Sequence, residues 1–152
     1  MNKGQSLFEL VIAIGISALI IVVLVSLVSS ALQNAAFSKN ETLAGKYAQE
    51  STEWLRGQRD SDINSFIANI TSYPYGVARC FNTLAWTSVG PCGVGDNIAG
   101  LFVRQISFRQ VDAVVGGVTK NIIQADVTVS WTDSKGIHEV TNTTDFADWR
   151  QR

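Results

Sequence analysis

The chain has 152 residues, 46% of them hydrophobic and 16% charged, with a formal net charge of −1 at neutral pH. That length holds one domain and one further segment, and the even charge balance leaves no basic stripe of the kind that binds nucleic acid. Two cysteines and a single histidine, His138, are too few to read as a metal framework.

The first element is an apolar run. No charged residue stands between Glu9 and Lys39, and Leu10 to Val28 is almost wholly aliphatic. A bilayer core needs about 20 apolar residues in helical form, so the run is long enough to cross one. An ordinary secretory signal is shorter and closes on a small-residue cleavage site, and no Ala-x-Ala site clearly closes this one. Lys3 is the only flanking cation on the N-terminal side, and positive-inside logic puts that end in the cytoplasm with the remainder outside. Glu9 is the outlier. A carboxylate in a bilayer helix costs on the order of 2.5–3.5 kcal/mol, which a plain anchor has no reason to carry.

Gly4-Gln5-Ser6-Leu7-Phe8-Glu9, continued by Leu-Val-Ile-Ala, resembles the class III signal of type IV pilins and type II secretion pseudopilins. The resemblance implies cleavage by a prepilin peptidase after Gly4, methylation of the new amino terminus at Gln5, and an assembly role for Glu9, fifth in the mature chain. Gln5 departs from the family, which most often has phenylalanine there. The new amine would lie about one helical turn from Glu9, yet the rising helix carries Glu9 away from its own terminus. The reading therefore pairs Glu9 with the Gln5 amine of a neighbouring subunit, giving each charge a partner. Small residues at Ala13, Gly15, Ser17 and Ala18 would let helices approach.

The helical pattern continues beyond the apolar run. From Gln33 to Arg59 there is no proline, and Ala36, Leu43, Tyr47, Trp54 and Leu55, with Ala44 and Ala48 beside them, recur near a 3.6-residue period. Lys39, Glu41, Lys46, Glu50, Glu53 and Arg56 fall largely on the other side, with Glu50 and Glu53 spaced to meet Lys46 and Arg56. One helix from Gln5 to about Arg59 is predicted, roughly 80 Å long at 1.5 Å per residue. Asp62 then caps a short helix, Ile63 to Ile70, with Phe66, Ile67 and Ile70 as its apolar face. Tyr73-Pro74-Tyr75-Gly76 marks a turn. Val77 to Ala99 reads as a loop with one short strand, and it carries Cys80 and Cys92. Exported cysteines in a pair form a bridge, which for a loop of this size contributes roughly 3 kcal/mol.

Gly116-Gly117 between Val114-Val115 and Val118 is a two-residue hairpin loop. With Val115 opposite Val118, counting outward sets Phe102 against Trp131, Arg104 against Val129, Ile106 against Val127, Phe108 against Ala125 and Gln110 against Ile123. Gln105, Ser107 and Arg109 then meet Thr128, Asp126 and Gln124 on the polar face. A slip of one residue would mix the two faces. Asp133-Ser134-Lys135-Gly136 supplies a second turn, and Ile137 to about Thr144 a third strand with His138, Val140 and Asn142 inward. The fold class is α+β: a long N-terminal helix, transmembrane in its first half, packed by its second half on a small antiparallel sheet. The pilin family has this architecture, and the ending from Thr143-Thr144 to Asp148-Trp149-Arg150 resembles the minor I-type pseudopilins and related minor pilins. The resulting division is 1–4 leader, 5–33 transmembrane helix, 34–60 amphipathic helix and 61–152 head.

No catalytic constellation stands out. His138 reads as a sheet residue beside a turn, Ser134 and Asp133 as turn chemistry, and the Gly-rich stretch from Gly90 to Gly100 lacks the lysine and helix of a phosphate loop. The expectation is a structural subunit and not an enzyme, without a cofactor. It would wait as a single-pass inner-membrane protein with its head on the extracytoplasmic side, partnered by a prepilin peptidase and then by other pilins or pseudopilins in a helical filament. Two other classes fit parts of the chain: a tip module for adhesion or DNA uptake using the Val77–Ala99 loop, and a non-assembling membrane-anchored sensor.

Overall fold

The computed structural model describes residues 7–86, 90–115 and 118–147. In chain order these form α1 (Leu7–Ser61), α2 (Ile63–Thr71), β1 (Arg79–Cys80), β2 (Val103–Val115), β3 (Val118–Asp133) and β4 (Gly136–Phe146). Residues Met1–Lys39 and Asn40–Arg152 are separate compact units.

The first unit is the apolar part of α1. Every residue from Leu7 to Ala36 is exposed. A helix that is apolar all round belongs inside lipid or protein. This one is long and apolar enough to cross a membrane. Ser17 is accommodated in it by donating its hydroxyl to the Ala13 carbonyl at 2.8 Å.

In the second unit α1 lies on the sheet through Ala44, Ala48, Ser51, Thr52 and Leu55, all buried, with Leu43, Tyr47 and Trp54 half-buried beside them. The stripe is the expected one with two changes. Ala36 is exposed, and two hydroxyl residues sit in the buried centre. They fit because each donates back along the helix, Ser51 to Tyr47 O at 3.1 Å and Thr52 to Ala48 O at 3.2 Å, while Thr52 also accepts from Asn142 Nδ2 at 3.3 Å. Buried polar groups satisfied in this way lose little.

Asp62 caps α2, its carboxylate accepting from the backbone N–H groups of Asn64 at 2.9 Å and Ser65 at 3.3 Å. The helix runs one residue past the expected Ile70. Its inner face is Ile63, Phe66 and Ile70; Ile67, expected inside, lies at the rim and is 37% exposed. A 100° step per residue turns Ile67 away from a face centred on positions 63, 66 and 70.

The sheet is antiparallel in the order β1-β2-β3-β4. The hairpin register is the predicted one, from Val115 opposite Val118 down to Arg104 opposite Val129. Phe102 and Trp131 close its far end with ring centroids 6.1 Å apart, while Gly116 and Gly117 lie outside the described residues. Ile106, Phe108, Ala125, Val127, Val129 and Trp131 are buried on one face. The other face is knitted across strands, Arg109 to Asp126 at 2.9 Å and Gln124 Nε2 to Asp145 at 2.7 Å. β4 extends to Phe146, beyond the expected Thr144, with His138, Val140 and Asn142 half-buried inward as expected.

Two arginines take positions that alternation assigns to the core. Arg104, opposite Val129, is 2% exposed. Its Nε donates to Phe81 O at 2.8 Å, Nη1 to Tyr47 O at 2.9 Å and to Glu50 Oε2 at 3.0 Å, and Nη2 to Asn82 O at 3.1 Å. Glu50 thus meets a sheet residue and not the expected Lys46, whereas Arg56 and Glu53 do pair at 2.6 Å. Arg79, also buried, donates to Asn69 O and Ile70 O in the last turn of α2 and lies over the Tyr73 and Phe108 rings. A cation there answers the exposed carbonyls and the negative end of the helix dipole.

Arg104→Leu is expected to lower the stability of the detergent-solubilised chain by about 3 kcal/mol, because buried carbonyls at Tyr47, Phe81 and Asn82 lose their donor. Tryptophan fluorescence in a urea titration reads this, and a loss under about 1 kcal/mol would mean water replaces the guanidinium. A second expectation concerns acid. The Lys135 N–H, then His138, lower the Asp133 carboxyl below its ordinary value of 3.8. A lowered carboxylate stabilises the fold above its unfolded value and loses that contribution as pH falls through the folded one. Asp133→Asn should therefore be less stable than wild type near neutrality, the gap closing below about pH 4 in acid-unfolding curves. A gap independent of pH would rule this out.

Candidate functional site

Two regions carry the residues singled out from the sequence, one in each unit. In the first, Glu9 lies in the first turn of the described α1 and is exposed. The local reason for a helix here is the unbroken aliphatic run. Gly4 and Gln5, the expected processing residues, lie outside the described residues. Ala13, Gly15, Ser17 and Ala18 are exposed, and a Cβ built on Gly15 meets nothing within 4 Å. This surface has one acid at its edge and is otherwise mostly aliphatic, interrupted by Ser17, Ser26, Ser29, Ser30, Gln33 and Asn34.

In the second unit, Cys80 and Cys92 form the expected disulfide, with Cα atoms 4.4 Å apart. Cys80 ends β1 and Cys92 returns beside it. The Cys80 N–H donates to Gly90 O at 2.6 Å and the Phe81 N–H to Arg104 O at 2.8 Å. Asn82 Oδ1 accepts from the Arg104 N–H at 2.7 Å. Arg104 therefore holds the loop by side chain and backbone together. Burial pushes its guanidinium down from the ordinary arginine value, and the hydrogen bond and charge of Glu50 pull it back up.

Arg104 and Arg79 are the residues that pattern reading passed over. For Arg104 the signal was present: a cation among inward positions, flanked at two-residue spacing by Phe102 and Ile106. Its partners were not legible, because three of them are backbone carbonyls from α1 and the cysteine loop.

His138 lies across the β3–β4 turn, Nε2 2.9 Å from Asp133 Oδ1, with its ring 5.3 Å from that of Trp131. Asp133 also accepts from the Lys135 N–H at 2.7 Å, and Ser134 is exposed between them. That is the geometry of a braced turn. Among the described residues no three of His, Cys, Asp and Glu come together to hold a metal ion. Comparison with protein-family models, with curated proteins and with solved structures finds no match for this chain.

Proposed function

We propose that this chain is a minor pilin or minor pseudopilin, a structural subunit cut by a prepilin peptidase after Gly4 and assembled with others of its kind into a type IV pilus or a type II secretion pseudopilus. The observation that carries the reading is Glu9, the one charged residue between Lys3 and Lys39, at the edge of a helix whose aliphatic surface is exposed all round. Such a surface is stable only in lipid or against other apolar helices. Before processing, the bilayer of the inner membrane covers it. Afterwards neighbouring helices do, in the core of a fibre, with the heads on the outside.

Glu9 gives that exchange a register. Cleavage frees an amine at Gln5, and the carboxylate of one subunit meets the amine of the next. Removing either partner leaves a charge in an apolar surround, which costs several kcal/mol. The head contributes a folded outer layer on the extracytoplasmic side, and its disulfide suits an oxidising compartment.

Coexpression with a prepilin peptidase should produce a faster-migrating form of the chain, and Gly4→Ala should abolish that shift. Persistence of the shift in the variant would place the cut elsewhere. Glu9→Leu should insert into the membrane and be processed as wild type, yet fail to enter sheared filaments. Equal recovery of the variant and wild type from filaments would end the pairing idea.

A further inference from the structure

β4 is the last strand in the sheet order, and among the described residues no strand lies along its outer edge. Asp133 opposite Gly136 flanks a two-residue turn, so that pair exchanges ladder hydrogen bonds and every second pair after it does the same. His138, Val140, Asn142, Thr144 and Phe146 therefore bond to β3. Ile137, Glu139, Thr141, Thr143 and Asp145 turn their backbone N–H and C=O groups outward, and among the described residues no backbone group bonds to them.

Open edges of this kind are normally blunted by shortness, by a lysine or proline, or by a bulge. β4 has none of these. It runs for 11 residues without Lys, Arg or Pro, where strands usually have about 5–6. Its register with β3 is unbroken from Ile123 opposite Phe146 to Asp133 opposite Gly136. The outward row carries Ile137, 79% exposed, and then two acids, Glu139 and Asp145. Glu139 is exposed opposite Ser130, and Asp145 accepts a neutral amide, Gln124 Nε2 at 2.7 Å. Arg109, on the same face, pairs with Asp126 instead.

We infer that the outer edge of β4 takes up an extended, basic segment of a different protein as a fifth strand, its Lys or Arg side chains opposite Glu139 and Asp145, about 20 Å apart along the strand. The inference rests on the subunit reading above and names the chemistry of the partner. N–H and C=O groups alternating along a straight edge are matched by another extended backbone and not by a helix, whose own groups are already bonded. Opposite charges facing each other across strands stabilise the pairing and like charges oppose it, so the two acids select a basic strand and reject an acidic one. A second copy fits poorly, because β4 has no Lys or Arg to set opposite either acid in any register. A minor subunit has other proteins as its neighbours, and the segment comes from one of them. The added strand also covers the half-buried inner row of His138, Val140 and Asn142.

The test replaces Ile137 by a photoreactive benzophenone side chain in the full chain, coexpressed with a prepilin peptidase and a pilus or secretion assembly apparatus. Irradiation should join position 137 to a different pilin-like subunit, and the sequenced peptide should carry Lys or Arg at alternating positions. Glu139→Lys should lower the yield about fivefold. Thr141→Pro removes one outward N–H, leaves the ladder to β3 intact, and should lower the yield about tenfold. Thr141→Val, which loses only the hydroxyl 3.0 Å from that of Thr128, should keep it. Urea midpoints of the solubilised variants check folding, and if Thr141→Pro unfolds the head, Glu139→Lys decides alone. Crosslinks to a second copy, to lipid or to an acidic segment, no crosslink, or a yield indifferent to these changes overturns the edge contact, and a chain still cut and found in filaments then leaves the subunit reading standing. A basic strand crosslinked to a chain that is never cut overturns the subunit reading and keeps the edge contact.

Discussion

Arg104 connects parts of the chain that are far apart in sequence. From β2 its guanidinium reaches the Tyr47 carbonyl and Glu50 on α1 and the Phe81 and Asn82 carbonyls at the start of the cysteine loop. A guanidinium offers donors in a fixed planar fork, so one side chain can set the spacing of helix, sheet and loop together. Buried as it is, it would cost several kcal/mol without those acceptors. The sheet can thus tolerate a cation on its inner face only when α1 lies across it and the loop closes over it. Helix, disulfide loop and sheet form one cooperative arrangement for that reason.

Aromatic packing completes what Arg104 fixes. Trp54 on α1 meets Phe81 and Trp86 from the loop, and Phe66 on α2 meets Trp86 and Phe146. These contacts span elements that share no backbone hydrogen bonds with one another. They bury large surfaces where the sheet is too narrow to supply a core alone. Arg79 extends the same logic to α2, holding the carbonyls of its last turn while its own face rests on Tyr73 and Phe108.

α1 is continuous in backbone yet divided in chemistry. Up to Ala36 its described residues are exposed and mostly aliphatic; from Ala44 to Leu55 it is amphipathic, one side on the sheet. The second part is buried on the sheet, and the described residues of the first up to Ala36 are exposed. That contrast is why the functional reading turns on association.

Much of this was legible in the sequence. Local periodicity and turn chemistry are written in neighbouring residues, so the extent of α1, the Asp62 cap and the hairpin register from Val115 opposite Val118 could be counted out directly. The apolar span and the position of Glu9 within it are equally local facts. The disulfide followed from there being only two cysteines. Tertiary structure decided the rest. Ile67 turned to the rim, Ser51 and Thr52 were admitted to the core, and Arg104 became its centre. Each depends on acceptors or neighbours from distant segments, and no pattern of adjacent residues encodes where a remote carbonyl will stand.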